Sequence, residues 1–190
     1  MDYILKKYCP RIDFDSYEDF FNNFKINVPD AFNFGYDVVD EWARVEPDKP
    51  ALLWCNDAGE ERRFTFTDIS RLSSKTAHAF AKLGIGKGDI VMCIMRRRWE
   101  YWPIIVATHK VGAVGIPATT LLKRHDLLYR YKAADVHYVI AINDPEVRDS
   151  VKQAQEESGM DMKLILVGEG DKTGWLDFNA GMEASPRTYE

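Results

Sequence analysis

The 190-residue sequence is poor in cysteine and histidine and contains no long hydrophobic run. Its three cysteines, Cys9, Cys55 and Cys93, are odd in number and too far apart for a CxxC motif. This argues against a disulfide scaffold and a cysteine-based metal site, and for reduced thiols in the cytosol. No apolar run approaches the roughly 20 residues that span a bilayer, and residues 1–7 lack the apolar core of a signal peptide. We therefore expect a cytoplasmic protein with no membrane span.

Catalytic motifs are equally scarce. No GxSxG nucleophile motif accompanies the four histidines, which fall on separate predicted elements: His78, His109, His125 and His137. The glycines of 84–89 suggest a phosphate loop, but that segment follows a predicted helix and precedes a strand, the reverse of a phosphate loop. We expect a helix end and a turn there, and ordinary packed or surface histidines. Spacing alone therefore identifies no catalytic residue and no metal site.

Composition and charge limit the class of protein. The chain is 46% hydrophobic and 29% charged, which is typical of a soluble globular protein of about one domain. Its formal net charge is −5, and residues 1–50, with 6 Lys/Arg and 11 Asp/Glu, carry all of it. In the remaining residues the positive and negative charges cancel, so this part of the chain is not suited to neutralising many phosphates. We expect no nucleic-acid partner.

Two helices are predicted first. One is capped by Asp15-Ser16 and carries an apolar stripe at helical spacing, made by Tyr17, Phe20, Phe21 and Phe24. The second is capped by Asn33, ends before Pro47 and faces inward with Val38, Val39, Trp42 and Val45.

A β-hairpin and a longer helix follow. Alternating residues predict strands at 51–55 and 63–66 around a turn at 56–59. Thr67 or Asp68 is then expected to cap a helix that Gly84 closes. The positions of that helix expected to be buried are Ile69, Leu72, Thr76, Phe80 and Leu83.

From residue 90 the sequence alternates between apolar strands and amphipathic helices. The predicted strands are 90–95, 114–117, 136–142 and 164–167, and the helices between them are 99–111, 123–134 and 145–158. Repeated β-α units predict parallel strands joined by crossovers, and near-continuous apolar strands indicate a sheet covered on both faces. We therefore predict an α/β fold: a doubly wound, mostly parallel sheet with flanking helices, preceded by two helices and a β-hairpin. The tail, 168–190, holds one short helix around 175–182 and does not resemble a finished domain end, so we expect a fragment.

Ligands of open α/β sheets bind outside the carboxyl ends of the strands, where helix N-termini also favour anions. The polar residues placed there to surround a phosphate-bearing ligand are Arg96, Arg97, Arg98, Thr119, Thr120, Lys123 and Arg148. The alternative for each arginine is a solvated loop position. Trp99 and Trp102 follow the first of these strands. We expect packing for them, with contact to a lipid tail or a substrate as the alternative.

Several segments in order over about residues 34–182 carry a family resemblance. They are Phe64–Ile69, Gly86–Val91, Lys110–Pro117, Asp126–Tyr131 with Ala134-Asp135, and Gly174–Phe178. Together they resemble AMP-forming acyl-CoA synthetases of the adenylate-forming, AMP-binding family. The last two are similar to the medium-chain acyl-CoA synthetase branch, and the chain as a whole is most similar to the medium-chain and acetyl-CoA synthetase branch.

The resemblance implies a fold, a domain organisation and an activity. Residues 1–33 would form an N-terminal helical extension. Residues 34–190 would form the N-terminal part of the adenylation domain, truncated before its Ser/Thr/Gly-rich nucleotide loop. The full-length enzyme would use ATP and Mg²⁺ to activate a carboxylic acid, from acetate to a medium-chain fatty acid, and would transfer the acyl group to coenzyme A. The fragment itself would be inactive, and its incomplete domain would favour self-association through exposed apolar surface.

The resemblance also implies contacts to coenzyme A. The loop after the second predicted parallel strand would supply Thr119, Thr120, Leu121, Leu122 and Lys123. Some medium-chain relatives have an amide where this chain has Leu121, so only backbone or apolar contact is expected there. Arg148 matches an arginine of acetyl-CoA synthetases that contacts the nucleotide phosphate of coenzyme A.

Two other functions stay open at this point. One is a flavodoxin-like module without catalysis that binds a nucleotide, a flavin or a protein. The other is an adenylating domain that loads a carrier protein.

Overall fold

Short helices fill the N-terminal part of the computed structural model, which describes residues 2–189. They are α1 (Asp2–Tyr8), α2 (Tyr17–Asn23), a π-helical segment (Gly35–Asp40) and α3 (Glu41–Val45). Both predicted helix starts are confirmed: Ser16 Oγ accepts a hydrogen bond from Asp19 N, and Asn33 Oδ1 accepts one from Gly35 N at 2.9 Å. The sequence did not predict α1, because its apolar residues Ile4 and Tyr8 pack with Trp42, Val38 and Phe66, far along the chain.

The apolar stripe of α2 does not face a core. No residue of α2 is buried, and Tyr17 and Phe21 are each 72% exposed. Phe20 and Phe24 contact each other and Phe14, so the aromatic rings form a small surface cluster. The helical spacing was therefore correct, but the burial that such spacing normally indicates is absent here.

The second predicted helix divides into the π-helical segment and α3. Val39 and Trp42 are buried, whereas Val38 and Val45 are only half-buried. The inward-facing stripe is thus confirmed in part. Val39 packs with Ile69 and Val106, which places this segment against the helices of the main sheet.

The hairpin forms its own antiparallel two-stranded sheet, β1 (Pro50–Cys55) and β2 (Glu61–Thr65). The turn between them is closed by Asn56, whose side chain accepts hydrogen bonds from the amides of Ala58 and Glu60. Asn favours such turns because its side chain imitates a backbone turn. The predicted hairpin is confirmed.

Helix α4 (Phe66–Leu83) starts two to three residues earlier than the sequence suggested. Its cap is Thr65, not Thr67 or Asp68: Thr65 Oγ1 accepts from Asp68 N, and Asp68 Oδ2 accepts from Thr65 N at 2.9 Å. This reciprocal capping box satisfies two amides at once, which decides between neighbouring Thr residues. Gly84 ends the helix with φ of 83°, a left-handed conformation that favours glycine. The segment that follows is a turn, as predicted, with Gly86 N donating to Asp89 Oδ2.

The main sheet has five strands, all in parallel pairs. Its elements in chain order are β3 (Ile90–Ile94), α5 (Tyr101–Val111), β4 (Val114–Ala118), α6 (Arg124–Ala134), β5 (Tyr138–Ile142), α7 (Pro145–Ser158), β6 (Lys163–Val167), β7 (Leu176–Asp177) and α8 (Phe178–Glu183). The spatial order is β4-β3-β5-β6-β7. The predicted α/β fold with a parallel sheet is confirmed. The two-residue β7 was not predicted because it is too short to carry a pattern.

Apolar cores cover both faces of the sheet. On one face, Met92 of β3 and Val139 of β5 pack with α6 and α7. On the other, Val91 and Cys93 of β3 and Ile140 of β5 pack with α4, α5 and α8. Successive residues of a strand point to opposite faces, so continuous apolar strands imply two cores. This arrangement is the doubly wound sheet that the sequence predicted. Among residues 2–189, no helix combines the length and apolar character needed to cross a bilayer.

Candidate functional site

The strand order places a topological switch between β3 and β5. The chain leaves β3 for β4 on one side, then crosses to β5 on the other side of β3. Loops diverge at such a point and leave a crevice at the carboxyl ends of the strands, where ligands of open α/β sheets bind. The same order occurs in flavodoxin-like proteins, so topology alone does not separate an enzyme from a binding module.

A cavity of about 870 Å³ lies at this switch, and we name it the switch-point cleft. The hairpin forms one wall, and the loop after β3 and the ends of β5 and β6 form the others. Its lining residues are Trp54–Asp57, Glu60, Arg62, Arg96–Trp99, Ile142–Asp144 and Val167–Glu169. The sequence predicted ligand-binding residues at this edge, but not that the hairpin would close over it.

Arg98 is held by a buried carboxylate at the floor of the cleft. Glu100 is 1% exposed, and its two oxygens accept hydrogen bonds from Arg98 Nε and Nη2. A buried carboxylate needs such a paired partner, and the two-point geometry is the strongest form of this pair. Arg98 also lies against Gly168, where an added Cβ would come within 3.5 Å of Nη1. Arg98 therefore joins the ends of β3 and β6, with Nε and Nη2 both bound to Glu100.

Aromatic contacts hold the hairpin over the cleft. Trp54 Nε1 donates to the Arg97 carbonyl at 2.7 Å, and Phe64 stacks on Trp99 with ring centres 5.4 Å apart. The Arg62 guanidinium lies 5.4 Å from the Trp99 ring centre and 5.9 Å from that of Trp54. Trp99 is buried, so its predicted packing role is confirmed, whereas Trp102 is half exposed. The contact between Arg62 and Trp54 follows from their pairing across the hairpin. No short-range signal reveals the other contacts, because they join residues 35 or more positions apart.

The loop expected to contact coenzyme A lies between β4 and α6. Thr119 Oγ1 accepts from Leu121 N at 3.3 Å, which shapes the turn, and Leu121 is 79% exposed. Leu122 packs against the α6–α7 core, and Thr120 is half-buried. Lys123 Nζ lies 3.2 Å from Glu146 Oε2, at the start of α7. The structure thus brings this loop next to the segment that carries Arg148.

Arg148 fastens the loop after β6. Its Nη1 donates to Asn143 Oδ1 at 3.1 Å and to the Asp171 carbonyl at 2.9 Å. Asn143 Nδ2 donates to the same carbonyl and to that of Glu169. Hydrogen bonds from the Thr173 hydroxyl and amide, together with the field of Arg148, hold the pKa of Asp171 below its usual range. Arg148 lies on the predicted edge, and its role toward coenzyme A stays a prediction.

The N-terminus of α7 at the switch is already occupied. Asp144 caps it by accepting from Val147 N at 3.2 Å. A carboxylate there satisfies a free amide and the positive end of the helix dipole. A helix N-terminus favours an anion, and at α7 the carboxylate of Asp144 itself is that anion.

Comparisons with known proteins agree on one family. A family model described as "AMP-binding enzyme" matches residues 39–188. The mitochondrial acyl-coenzyme A synthetase ACSM2 of Rattus norvegicus is 36% identical over 166 residues, which are 84% of this chain and 29% of that protein. The mitochondrial acyl-coenzyme A synthetase ACSM3 of Homo sapiens is 35% identical over 168 residues, 85% of this chain and 28% of that protein.

Solved structures share the fold at lower identity. The anthranilate CoA ligase AuaEII, solved in complex with anthranoyl-AMP, superimposes with a TM-score of 0.74 at 22% identity, over 86% of this chain and 30% of that chain. Acetoacetyl-CoA synthetase from Streptomyces lividans superimposes with a TM-score of 0.72 at 21% identity, over 84% and 26%. The chain thus spans less than a third of the length of the relatives it matches.

Proposed function

Because the chain belongs to the AMP-binding enzyme family, we propose that it supplies the N-terminal part of an AMP-forming acyl-CoA synthetase. The observation that carries this proposal is the family match over 39–188 together with 36% identity to an acyl-coenzyme A synthetase. The doubly wound sheet with its cleft at the switch is consistent with it. The proposal covers the activity, substrates and partners of the whole protein.

The proposed reaction has two steps. A carboxylate oxygen attacks the α-phosphorus of ATP, pyrophosphate leaves, and an acyl-adenylate forms. The thiol sulfur of coenzyme A then attacks the acyl carbon, and AMP leaves. Adenylation is needed because a free carboxylate is a poor electrophile. We propose acids from acetate to medium-chain fatty acids as substrates.

Residues 2–189 contain candidate contacts for coenzyme A, but no group of side chains suited to holding a metal ion. Coenzyme A would be held by Thr119–Lys123 and Arg148, which lie on one edge, with Leu121 offering an apolar contact. Its phosphates would compete with Glu146 for Lys123 and with Asp171 for Arg148. Within residues 2–189, no group of three or more His, Cys, Asp or Glu side chains is arranged to hold a metal ion. We therefore assign no magnesium ligand and no catalytic residue to this chain, and ATP and Mg²⁺ are proposed for the full-length enzyme.

The decisive experiment is acid-dependent exchange between ATP and labelled pyrophosphate by the full-length product, with acids from acetate to decanoate. We expect exchange with at least one acid, and formation of the acyl-CoA thioester with release of AMP when coenzyme A is added. Absence of exchange with every acid would refute the proposal. Transfer to a carrier protein and not to coenzyme A would identify a carrier-loading domain. The 190-residue chain alone is expected to show no exchange.

The coenzyme A contacts need separate variants. Arg148→Lys keeps the charge but loses the two-point geometry, so the KM for coenzyme A should rise about tenfold while acid-dependent exchange is unchanged. Arg71→Lys, at an exposed position of α4, is the matched control. Leu121→Gln, which restores an amide, should lower the KM for coenzyme A. Equal effects of Arg148→Lys on both half-reactions would show that Arg148 serves the loop structure alone.

We also propose a cytoplasmic location. All three cysteines are free thiols in the structure, which suits a reducing compartment. Fractionation of cells that express the full-length protein tests this. Recovery in an organelle or outside the cell would contradict it.

A further inference from the structure

The N-terminal part of the chain carries an exposed aromatic surface. It lies on residues 13–24, which we name the acidic aromatic segment and which contain α2, a helix with no buried residue. Four aromatic side chains of this segment are each at least 40% exposed: Tyr17, Phe20, Phe21 and Phe24. The family model begins at residue 39, so the fold shared with the relatives does not account for this surface.

The same segment carries negative charge that the chain leaves largely unneutralised. It contains four Asp/Glu and no Lys/Arg. Arg11 binds Asp19 through two hydrogen bonds, but it lies 3.7 Å from Asp15, whose side chain is 99% exposed. Asp13 and Glu18 are exposed, and their carboxylates have no partner among residues 2–189. A surface that complements this segment is therefore both apolar and positively charged.

A groove with this character lies between β1, the loop after β3 and the start of α5. We name it the arginine groove; it measures about 590 Å³ and is lined by residues 52–55, 95–98, 101–102 and 119–120. Two of its apolar side chains, Leu53 and Trp102, are 55% and 49% exposed. Arg96 and Arg97 are exposed, and within the described residues neither has a hydrogen-bond or ion-pair partner. The groove thus offers apolar surface beside two uncommitted positive charges.

The segment and the groove do not meet within one copy of the chain. Asn33 Nδ2 donates to the His109 carbonyl near the end of α5, whereas Trp102 lies in its first turn, about 10 Å away along the helix axis. The segment is also closed onto the N-terminal helices, because Asn27 N donates to the Tyr8 carbonyl at 2.8 Å. A second copy brings the two surfaces together without breaking either bond.

We propose that the acidic aromatic segment of one copy of this chain docks in the arginine groove of a second copy. The aromatic rings of α2 pack on the apolar side chains of the groove, and the unpaired carboxylates face Arg96 and Arg97. Because the two surfaces differ, the contact is heterologous, and it closes into a dimer when each copy offers its segment to the other. A small interface of this kind gives weak association, with charge deciding which surfaces meet. The proposal goes beyond the ligase activity, since it requires neither ATP nor an acid.

The first test is sedimentation velocity of the 190-residue chain over a concentration series, at low and at high ionic strength. We expect the weight-average mass to rise with concentration above the 21.9 kDa of one chain. The mass should fall as salt is raised, because salt screens exposed charge pairs. Association through apolar contact alone would not weaken in salt, and that result would contradict the proposal.

Two charge-reversed variants test which surfaces meet. Arg96→Glu/Arg97→Glu should raise the dissociation constant at least about tenfold, because like charges then face one another. Asp13→Lys/Asp15→Lys reverses the other surface outside α2 and should have the same effect. An equimolar mixture of the two variants should associate again, because every contact between unlike copies then joins opposite charges. Variants that had merely lost their fold would not recover on mixing.

The matched control is Arg71→Glu/Lys82→Glu, which makes the same change of charge at exposed positions of α4. Circular dichroism melting curves confirm that each variant folds. The proposal is overturned if the chain is monomeric at every concentration, if the control weakens association equally, or if the mixture of reversed variants stays monomeric.

The sedimentation series is repeated with the full-length product. Association through the same residues in both proteins supports the proposal. Association of the 190-residue chain that is lost in the full-length product would assign the groove to a downstream segment of the same chain and would overturn it.

Discussion

Lys110 Nζ lies 2.8 Å from Asp40 Oδ1, and this ion pair joins α5 to the π-helical segment. The Lys110 side chain is fully buried, with Ser74 Oγ 3.0 Å away and the Tyr36 ring centre 5.6 Å away. Burial lowers the pKa of Lys110, while Asp40 opposes that shift. Asn33 Nδ2 adds a bond to the His109 carbonyl, so the N-terminal segment is fixed to the main domain at two adjacent residues of α5.

Of the two partners in the Lys110–Asp40 pair, substitution of Asp40 should destabilise the protein more than substitution of Lys110. Asp40→Asn leaves a buried ammonium without its charge partner, so unfolding free energy should fall by about 3 kcal/mol. Lys110→Met should lower it less, because Asp40 is partly exposed and can be solvated. Urea unfolding monitored by circular dichroism measures both, with Lys132→Met on exposed Lys132 as the control. A loss for Asp40→Asn no larger than that of the control would contradict this account.

The three cysteines should differ in reactivity. Cys55 is exposed on the hairpin, whereas Cys9 and Cys93 are buried. Burial raises the pKa of Cys93 to about 12, and only the thiolate reacts. Mass spectrometry after a brief treatment with N-ethylmaleimide should show one modified residue, Cys55, and three after unfolding in urea. Cys55→Ser should abolish the rapid reaction, and labelling of Cys93 in the native protein would show that β3 is not buried.

Glu41 should contribute acid-sensitive stability. Hydrogen bonds from Arg44 and then Tyr3 lower the pKa of Glu41 to about 2. A carboxyl whose pKa is lower in the folded state stabilises fully above its unfolded value and loses this as pH falls toward the folded value. The stability difference between wild type and Glu41→Gln should therefore be constant above about pH 5 and shrink toward pH 2. Thermal melts from pH 7 to 2.5 measure it, and a difference independent of pH would contradict the assignment.

The aromatic face of α2 should promote self-association. Tyr17 and Phe21 are both largely exposed on adjacent turns, with ring centres 6.1 Å apart. Exposed apolar patches are a common cause of association. Tyr17→Ser/Phe21→Ser should reduce the weight-average mass in sedimentation velocity without lowering the melting temperature. Asn22→Ser on the same helix is the control, and an unchanged mass in the double variant would show that the face is inert.

Sequence reasoning located most of the main sheet because its signals are local. Strands β3–β6 are apolar runs, and α4, α5 and α7 each end at a glycine with positive φ: Gly84, Gly112 and Gly159. These signals need no knowledge of distant residues. The choice of Thr65 as the cap of α4 depended on which hydroxyl meets Asp68, and neighbouring threonines made that choice ambiguous.

The candidate site was less predictable because distant residues build it. The residues at the strand ends follow from the sequence, but the strand order that makes β3 and β5 neighbours does not. Nothing local indicates that Trp54 reaches the Arg97 carbonyl, 43 positions away. The sequence pattern likewise predicted seven polar residues at the carboxyl edge of the sheet and did not distinguish among them. Only side-chain partners distinguish the committed Arg98 from the uncommitted Arg96.

The lateral strand β4 contains Pro117, paired in register with Cys93 of β3. Proline has no amide hydrogen to donate, and for this reason sheets tolerate it at their margins. A further strand beside β4 would lack a backbone hydrogen bond at Pro117. At the opposite margin of the sheet, such a strand could pair only with the two residues of β7. Within residues 2–189, both margins of this sheet are thus poor templates for the pairing of a strand from another molecule.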